Sequence, residues 1–203
     1  MMGAVISFER YHKRRLIPPL VFVEMHQEQL AYNPTFGAND VMPVLANCRS
    51  LLNRARSEGW PVAFVTPFQR VRGHKQTGFR WIEGFKPQRN DMIFEPIADS
   101  CYSSAEFAEA ITAYGKCFTL AGFSGERACL STLIDASRHD HFAGFIVDAS
   151  ATRPLPGCDA AESHRAVVAI ASRYATIVTA KRWLEVAGTR EAELEPSHDI
   201  SAN

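Results

Sequence analysis

A chain of 203 residues, 46% of them hydrophobic, is long enough for one domain with a full core. Its 22 basic and 22 acidic residues balance, which excludes the global field that would draw a nucleic acid or an anionic membrane surface. Five cysteines without CxxC spacing argue against a disulfide framework and for a reducing compartment. With no membrane-length apolar run and no signal-peptide core, the sequence leads us to expect a cytoplasmic location and no membrane partner.

Residues 1–17, with the basic cluster His12-Lys13-Arg14-Arg15, read as an N-terminal arm, and residues 18–187 as the domain. Pro19 to Val23 is a short, continuously apolar run after a proline, as expected of a strand buried on both faces. A loop rich in Asn, Pro and Gly follows. Asp40 to Glu58 predicts a helix, with Val41, Val44, Leu45, Cys48, Leu51 and Leu52 on one face and Gly59 as its stop. Val62 to Val65 is a second strand. Pro67 to Asn90 has no clear period and reads as a long connection that covers a substrate. Met92 to Phe94 is a third strand, and Ser104 to Tyr114 a helix capped by Ser103 or Ser104. Phe118 to Ala121 is a fourth strand, followed by a helix from Glu126 to His139. Phe145 to Val147, a helix from Ala160 to Arg173, Thr176 to Val178 and a short helix from Lys181 to Ala187 complete the pattern. Residues 188–203 read as a frayed, polar tail. Strict alternation predicts a six-stranded parallel sheet with helices on both faces. Ligands of such sheets bind beyond the carboxyl ends of the strands, where the strand order reverses.

Two positions stand out on that basis. Glu24 ends the first strand, and a carboxylate there has few structural reasons to exist. Cys129 follows the fourth strand across the Gly-flanked turn Gly122-Phe123-Ser124-Gly125 and enters the first turn of a helix. A helix N-terminus favours thiolate, so Cys129 is expected to be the most reactive of the five thiols. The backbone N–H groups of that turn are expected to stabilise an oxyanion. The alternative reading of Cys129 is a small core cysteine.

These residues carry a resemblance to the isochorismatase-like cysteine hydrolases over about residues 18–187. The segment Glu24-Met25-His26 resembles the family's catalytic Asp followed by Met-Gln. Gly122, Cys129, Thr132 and Asp135-Ala136 fall into register with the family's nucleophile segment, and Asp148-Ala149-Ser150 is close to its Asp-Ala-Thr. The resemblance implies a three-layer α/β/α, Rossmann-like fold, a homodimer or homotetramer, no cofactor, and hydrolysis of an amide-like C–N bond in a small molecule through a covalent intermediate on Cys129. It also implies a cis peptide bond between Phe123 and Ser124. Of the family's Asp, Lys and Cys, only the Cys carries over. Glu24 stands for the Asp and lies about 1 Å out of place, a displacement that can cost ~100-fold in rate. The Lys position falls on Pro96 or on Asp99, and neither is Lys. Asp99 would then neighbour Glu24, and two close carboxylates raise one another's pKa. Lys75 and Lys86 of the long connection are the candidates for the missing cation. Metal-binding members carry Asp-x-His after the second strand. Thr66-Pro67-Phe68 stands there, so no metal is expected.

The expected catalytic set is Cys129, Glu24 and Asp99, the last being otherwise a solvated loop residue, with His26, Phe123, Ser124, Gly125 and Trp81 as the substrate-binding set. His26 reads either as a base or binding group or as a packed histidine, and Trp81 either as a pocket wall or as a cover for the core. The competing function is a family member that has lost hydrolysis and serves as a binding or assembly unit. A third is vinyl-ether hydrolysis, which in this fold relies chiefly on the carboxylate.

Overall fold

The computed structural model describes residues 17–31, 38–67, 70–71, 74–75 and 78–192. The sheet is built from β1 (Leu20–Val23), β2 (Val62–Val65), β5 (Met92–Phe94), β6 (Cys117–Gly122), β7 (Phe142–Ser150) and β8 (Ala175–Val178). All its pairings are parallel, in the order β5-β2-β1-β6-β7-β8. The chain lays β2 and β5 on one side of β1, then crosses over and lays β6, β7 and β8 on the other. The order therefore reverses between β1 and β6, and sheets of this kind bind their ligands beyond the carboxyl ends of the strands at that reversal.

The apolar run of β1 serves two cores. Leu20 and Phe22 face one layer, with α2 (Ala38–Ser57) and α6 (Ala180–Ala192) behind them. Val21 and Val23 face the other, filled by α3 (Ala105–Ala113), α4 (Leu130–Arg138) and α5 (Ala160–Ala171). A strand buried on both faces has no polar face to show, which is why its pattern does not alternate. The architecture is the expected three-layer α/β/α, Rossmann-like one. None of the described helices is long and apolar enough to cross a membrane.

Several boundaries differ from the sequence expectation. α6 runs on to Ala192, through Gly188. One glycine costs a helix only about 1 kcal/mol, and Ala187, Arg190, Glu191 and Ala192 near it are good helix formers. The long connection holds a short hairpin, β3 (Arg70–Val71) with β4 (His74–Lys75), and a five-residue helix α1 (Gln27–Ala31) precedes it. The cap of α3 is also different. Ser104 occupies the N-cap but makes no capping bond through its side chain, and its hydroxyl donates to Glu106 instead. Ser103 Oγ accepts from the N–H groups of Ile97 and Ala98. It thereby fixes the loop that carries Asp99. The N-terminal arm, apart from Ile17, and the tail beyond Ala192 lie outside the described residues.

Candidate active site

The site begins as a backbone problem. The Glu24 N–H donates to Val65 O at 2.9 Å, and Glu24 adopts a left-handed φ of 53°. On the neighbouring strand, Gly122 has φ 123°, and a Cβ there would lie 2.3 Å from the Val23 carbonyl oxygen. Only glycine lets β6 approach β1 this closely. The chain then continues through Phe123, whose N–H donates to Val23 O, into Ser124 at φ 62°. Two non-glycine residues thus sit in left-handed conformations at the ends of adjacent strands. Each costs on the order of 1 kcal/mol, a strain that clusters at functional sites. The Phe123–Ser124 bond is trans, a correction to the expected cis bond.

From Gly125 to Cys129 the chain makes a π turn before α4 begins. Such a turn carries one residue more than an α turn. Arg127 projects from it, and its Nη2 donates to Glu24 Oε1 at 3.0 Å and Oε2 at 3.3 Å. Its Nη1 pairs with Asp99 Oδ1. The second oxygen of Glu24 also accepts from Gln29 Nε2, and Gln29 Oε1 accepts in turn from Arg153. Glu24 is 1% exposed. Burial raises its pKa to about 7, although Arg127 and Arg153 pull it down. Ser124 also lowers it and lies close by, without a hydrogen bond of normal geometry. The expected mutual effect of Asp99 and Glu24 gives way to a different arrangement, with Arg127 standing between the two carboxylates.

Cys129 differs from its expectation. Its side chain is fully buried in the core layer of α3, α4 and α5, and its Sγ donates to Phe123 O at 3.4 Å. Burial pushes the thiol pKa well above its ordinary value, and the nearby Cys101 and Glu24 add to that. Desolvation outweighs the helix end, so the structure holds a thiol rather than a thiolate. Of the turn's N–H groups, that of Gly125 donates to Ala151 O and that of Cys129 to Ser124 O. Cys158 is the exposed cysteine.

The other candidates fall into two places. Phe123 and Gly125 are buried parts of the turn, and Ser124 lies within it beside Glu24. His26 and Trp81 come together off the end of β1, ring centroids 4.0 Å apart, with Phe79 against the histidine at 5.3 Å. His26 is 1% exposed, and burial lowers its pKa to about 4, so it is a packed, neutral ring. Trp81 also leans on Phe64 and covers the core. Lys86 is exposed, and its carbonyl accepts from Arg56 beside Asp91, at the amino-terminal edge of the sheet and away from Glu24. The Lys75 side chain lies outside the described residues.

Sequence reasoning missed Arg127, Gln29 and Arg153. The first has a signal in the sequence, a basic residue two positions before Cys129, on the turn after the fourth strand rather than at the close of the third. Gln29 and Arg153 reach the site from α1 and from the loop after β7, positions that no local pattern connects.

The comparisons with known proteins bear on the fold and the family. The chain is similar to the structure of a cysteine hydrolase from Pseudomonas syringae pv. phaseolicola, with TM-score 0.73 and 19% identity over 87% of this chain and 93% of that one. It is similar to an isochorismatase from Pseudomonas putida, with TM-score 0.69 and 20% identity over 85% and 95%. It is also similar to N-carbamoylsarcosine amidase from Thermoplasma acidophilum, with TM-score 0.62 and 20% identity over 80% and 96%. At such identities the likeness speaks for the fold alone. No curated protein sequence gives a significant match. The family model of the isochorismatase domain matches residues 19–182, four fifths of the sequence. By that match the chain belongs to the isochorismatase family of hydrolases.

Proposed function

We propose that this chain hydrolyses a small molecule by proton transfer at Glu24, with Arg127 as the charge partner and without a covalent intermediate on Cys129. One observation carries this reading: a buried carboxyl whose pKa is raised to about 7 lies hydrogen-bonded to a guanidinium at the switch point of the sheet. A group with that pKa is half protonated near neutrality and serves as acid or base with little penalty. Arg127 stands where the family's lysine function is needed, holding charge beside the carboxylate. The bond to be cleaved is one that a proton activates, a vinyl ether being the simplest case: Glu24 delivers its proton to the terminal alkene carbon, water adds to the oxocarbenium carbon and returns a proton to Glu24, and the hemiketal collapses to a carbonyl compound and an alcohol.

The reading is tested with a panel of vinyl ethers and small amides assayed from pH 5 to 9. The expected result is turnover whose pH profile has a limb near 7, lost in Glu24→Gln. A profile with no limb between 6 and 8 contradicts it. The competing proposal is the covalent route, in which Glu24 takes the Cys129 proton and the thiolate attacks an amide-like carbon with loss of ammonia or an amine; burial and the charge of Glu24 both raise the thiol's pKa and stand against it. A homodimer or homotetramer is proposed from the resemblance, to be checked by light scattering, and a cytoplasmic location from the cysteine pattern.

A further inference from the structure

We infer that Asp99 occupies the subsite for an anionic group of the substrate, and that Arg127 gives up Asp99, and not Glu24, when that group arrives. The inference rests on Glu24 and Arg127 being the working pair. A guanidinium presents its donors as a rigid planar fork, so one arginine can serve two carboxylates at once. The two ends of this fork stand in different media. The Glu24 side chain is 2% exposed, while that of Asp99 is 41% exposed. Taking the cation from a buried carboxylate leaves an uncompensated charge in the core, whereas an exposed pair contributes little because water replaces either partner. Exchange therefore falls on Nη1. The Arg127 side chain is itself 30% exposed.

What Asp99 places there is a carboxylate, so the ligand that competes with it is a carboxylate or a group of like shape and charge. The Asp99 loop is pinned by Ser103, whose hydroxyl accepts from the N–H groups of Ile97 and Ala98. Asp99 is thus held beside Arg127 as an internal competitor at high local concentration. Arg153, fixed by Gln29 on the other side of Glu24, adds positive charge to the same region. A neutral substrate has no means of displacing Asp99, so this pair also selects for charge.

The test is equilibrium binding of benzoate, with neutral benzamide as the control, to the intact chain and to its variants. Benzoate is expected to bind and benzamide not to. Asp99→Asn should tighten benzoate about fivefold, the scale on which an exposed ion pair competes. Arg127→Gln should abolish binding in both backgrounds. Arg127→Lys, which keeps the charge but not the fork, should weaken it. Benzoate affinity unchanged or reduced in Asp99→Asn, or retained in Arg127→Gln, overturns the inference, as does no benzoate binding to either the parent chain or Asp99→Asn. Asp99 is an exposed loop residue, so that variant is expected to melt with the parent chain. Binding requires no turnover: a chain that binds as expected yet lacks Glu24-dependent hydrolysis overturns only the functional reading.

Discussion

The substitution Glu24→Gln should change how stability depends on pH. Two effects compete at Glu24: burial disfavours its charge, and Arg127 favours it. The pKa rises from an ordinary 4.5 to about 7, so burial wins. In the unfolded chain the same group ionises near 4.5. Between those values the native state holds a proton that the unfolded state has lost, so this group's contribution to stability falls as pH rises through that window. A rise of roughly 2.5 pH units corresponds to about 3 kcal/mol, with no discount for solvent because Glu24 is 1% exposed. Glutamine cannot ionise in either state. The stability of Glu24→Gln minus that of the parent chain should therefore grow by about 3 kcal/mol from pH 4.5 to 7.5. His26, held near 4 by burial, works in the opposite direction between about 4 and 6.5, but it is common to both proteins and cancels in the difference. Urea denaturation at half-unit steps of pH measures this. A flat difference would show that Arg127 cancels burial, and one that shrinks as pH rises that Arg127 outweighs it; either would refute the reasoning.

The remaining predictions concern the turn and the thiols. In limited iodoacetamide labelling followed by mass mapping, Cys158 should react first and the buried Cys129 should resist until the chain opens. Ser124→Gly should be about 1 kcal/mol more stable than Ser124→Ala in chemical denaturation, because only glycine sits at φ 62° without strain. Gly122→Ala should lose at least ~3 kcal/mol or fail to fold, since its Cβ would lie 2.3 Å from the Val23 carbonyl oxygen and no flexible side chain can give way.

The fold was legible because parallel sheets write themselves into sequence. Continuous apolar runs such as Leu20 to Val23 have one reading when they alternate with amphipathic helices, whereas the strand order, with its crossover after β5, comes from the structure alone. Glu24 was legible for the same reason, as a carboxylate ending a strand that has no polar face. The chemistry around it was less so. Helix position alone gave Cys129 a thiolate, but the ionisation of a thiol is decided by how much water reaches it, and that depends on how α3 and α4 close over the turn. The sequence position of the family's lysine holds no cation, and the structure supplies charge by proximity instead. Arg127 reaches Glu24 across 103 positions of chain and Asp99 across 28, and neither contact has a periodic signature.

The most direct test is the rate of hydrolysis of whichever substrate the panel yields, measured side by side in Glu24→Gln and Cys129→Ala. Proton transfer at Glu24 predicts a loss of about 100-fold or more in kcat for Glu24→Gln and less than about 10-fold for Cys129→Ala. Abolished turnover in Cys129→Ala, with an acyl adduct on Cys129 in the parent chain by intact-mass measurement, would contradict it and establish the covalent route.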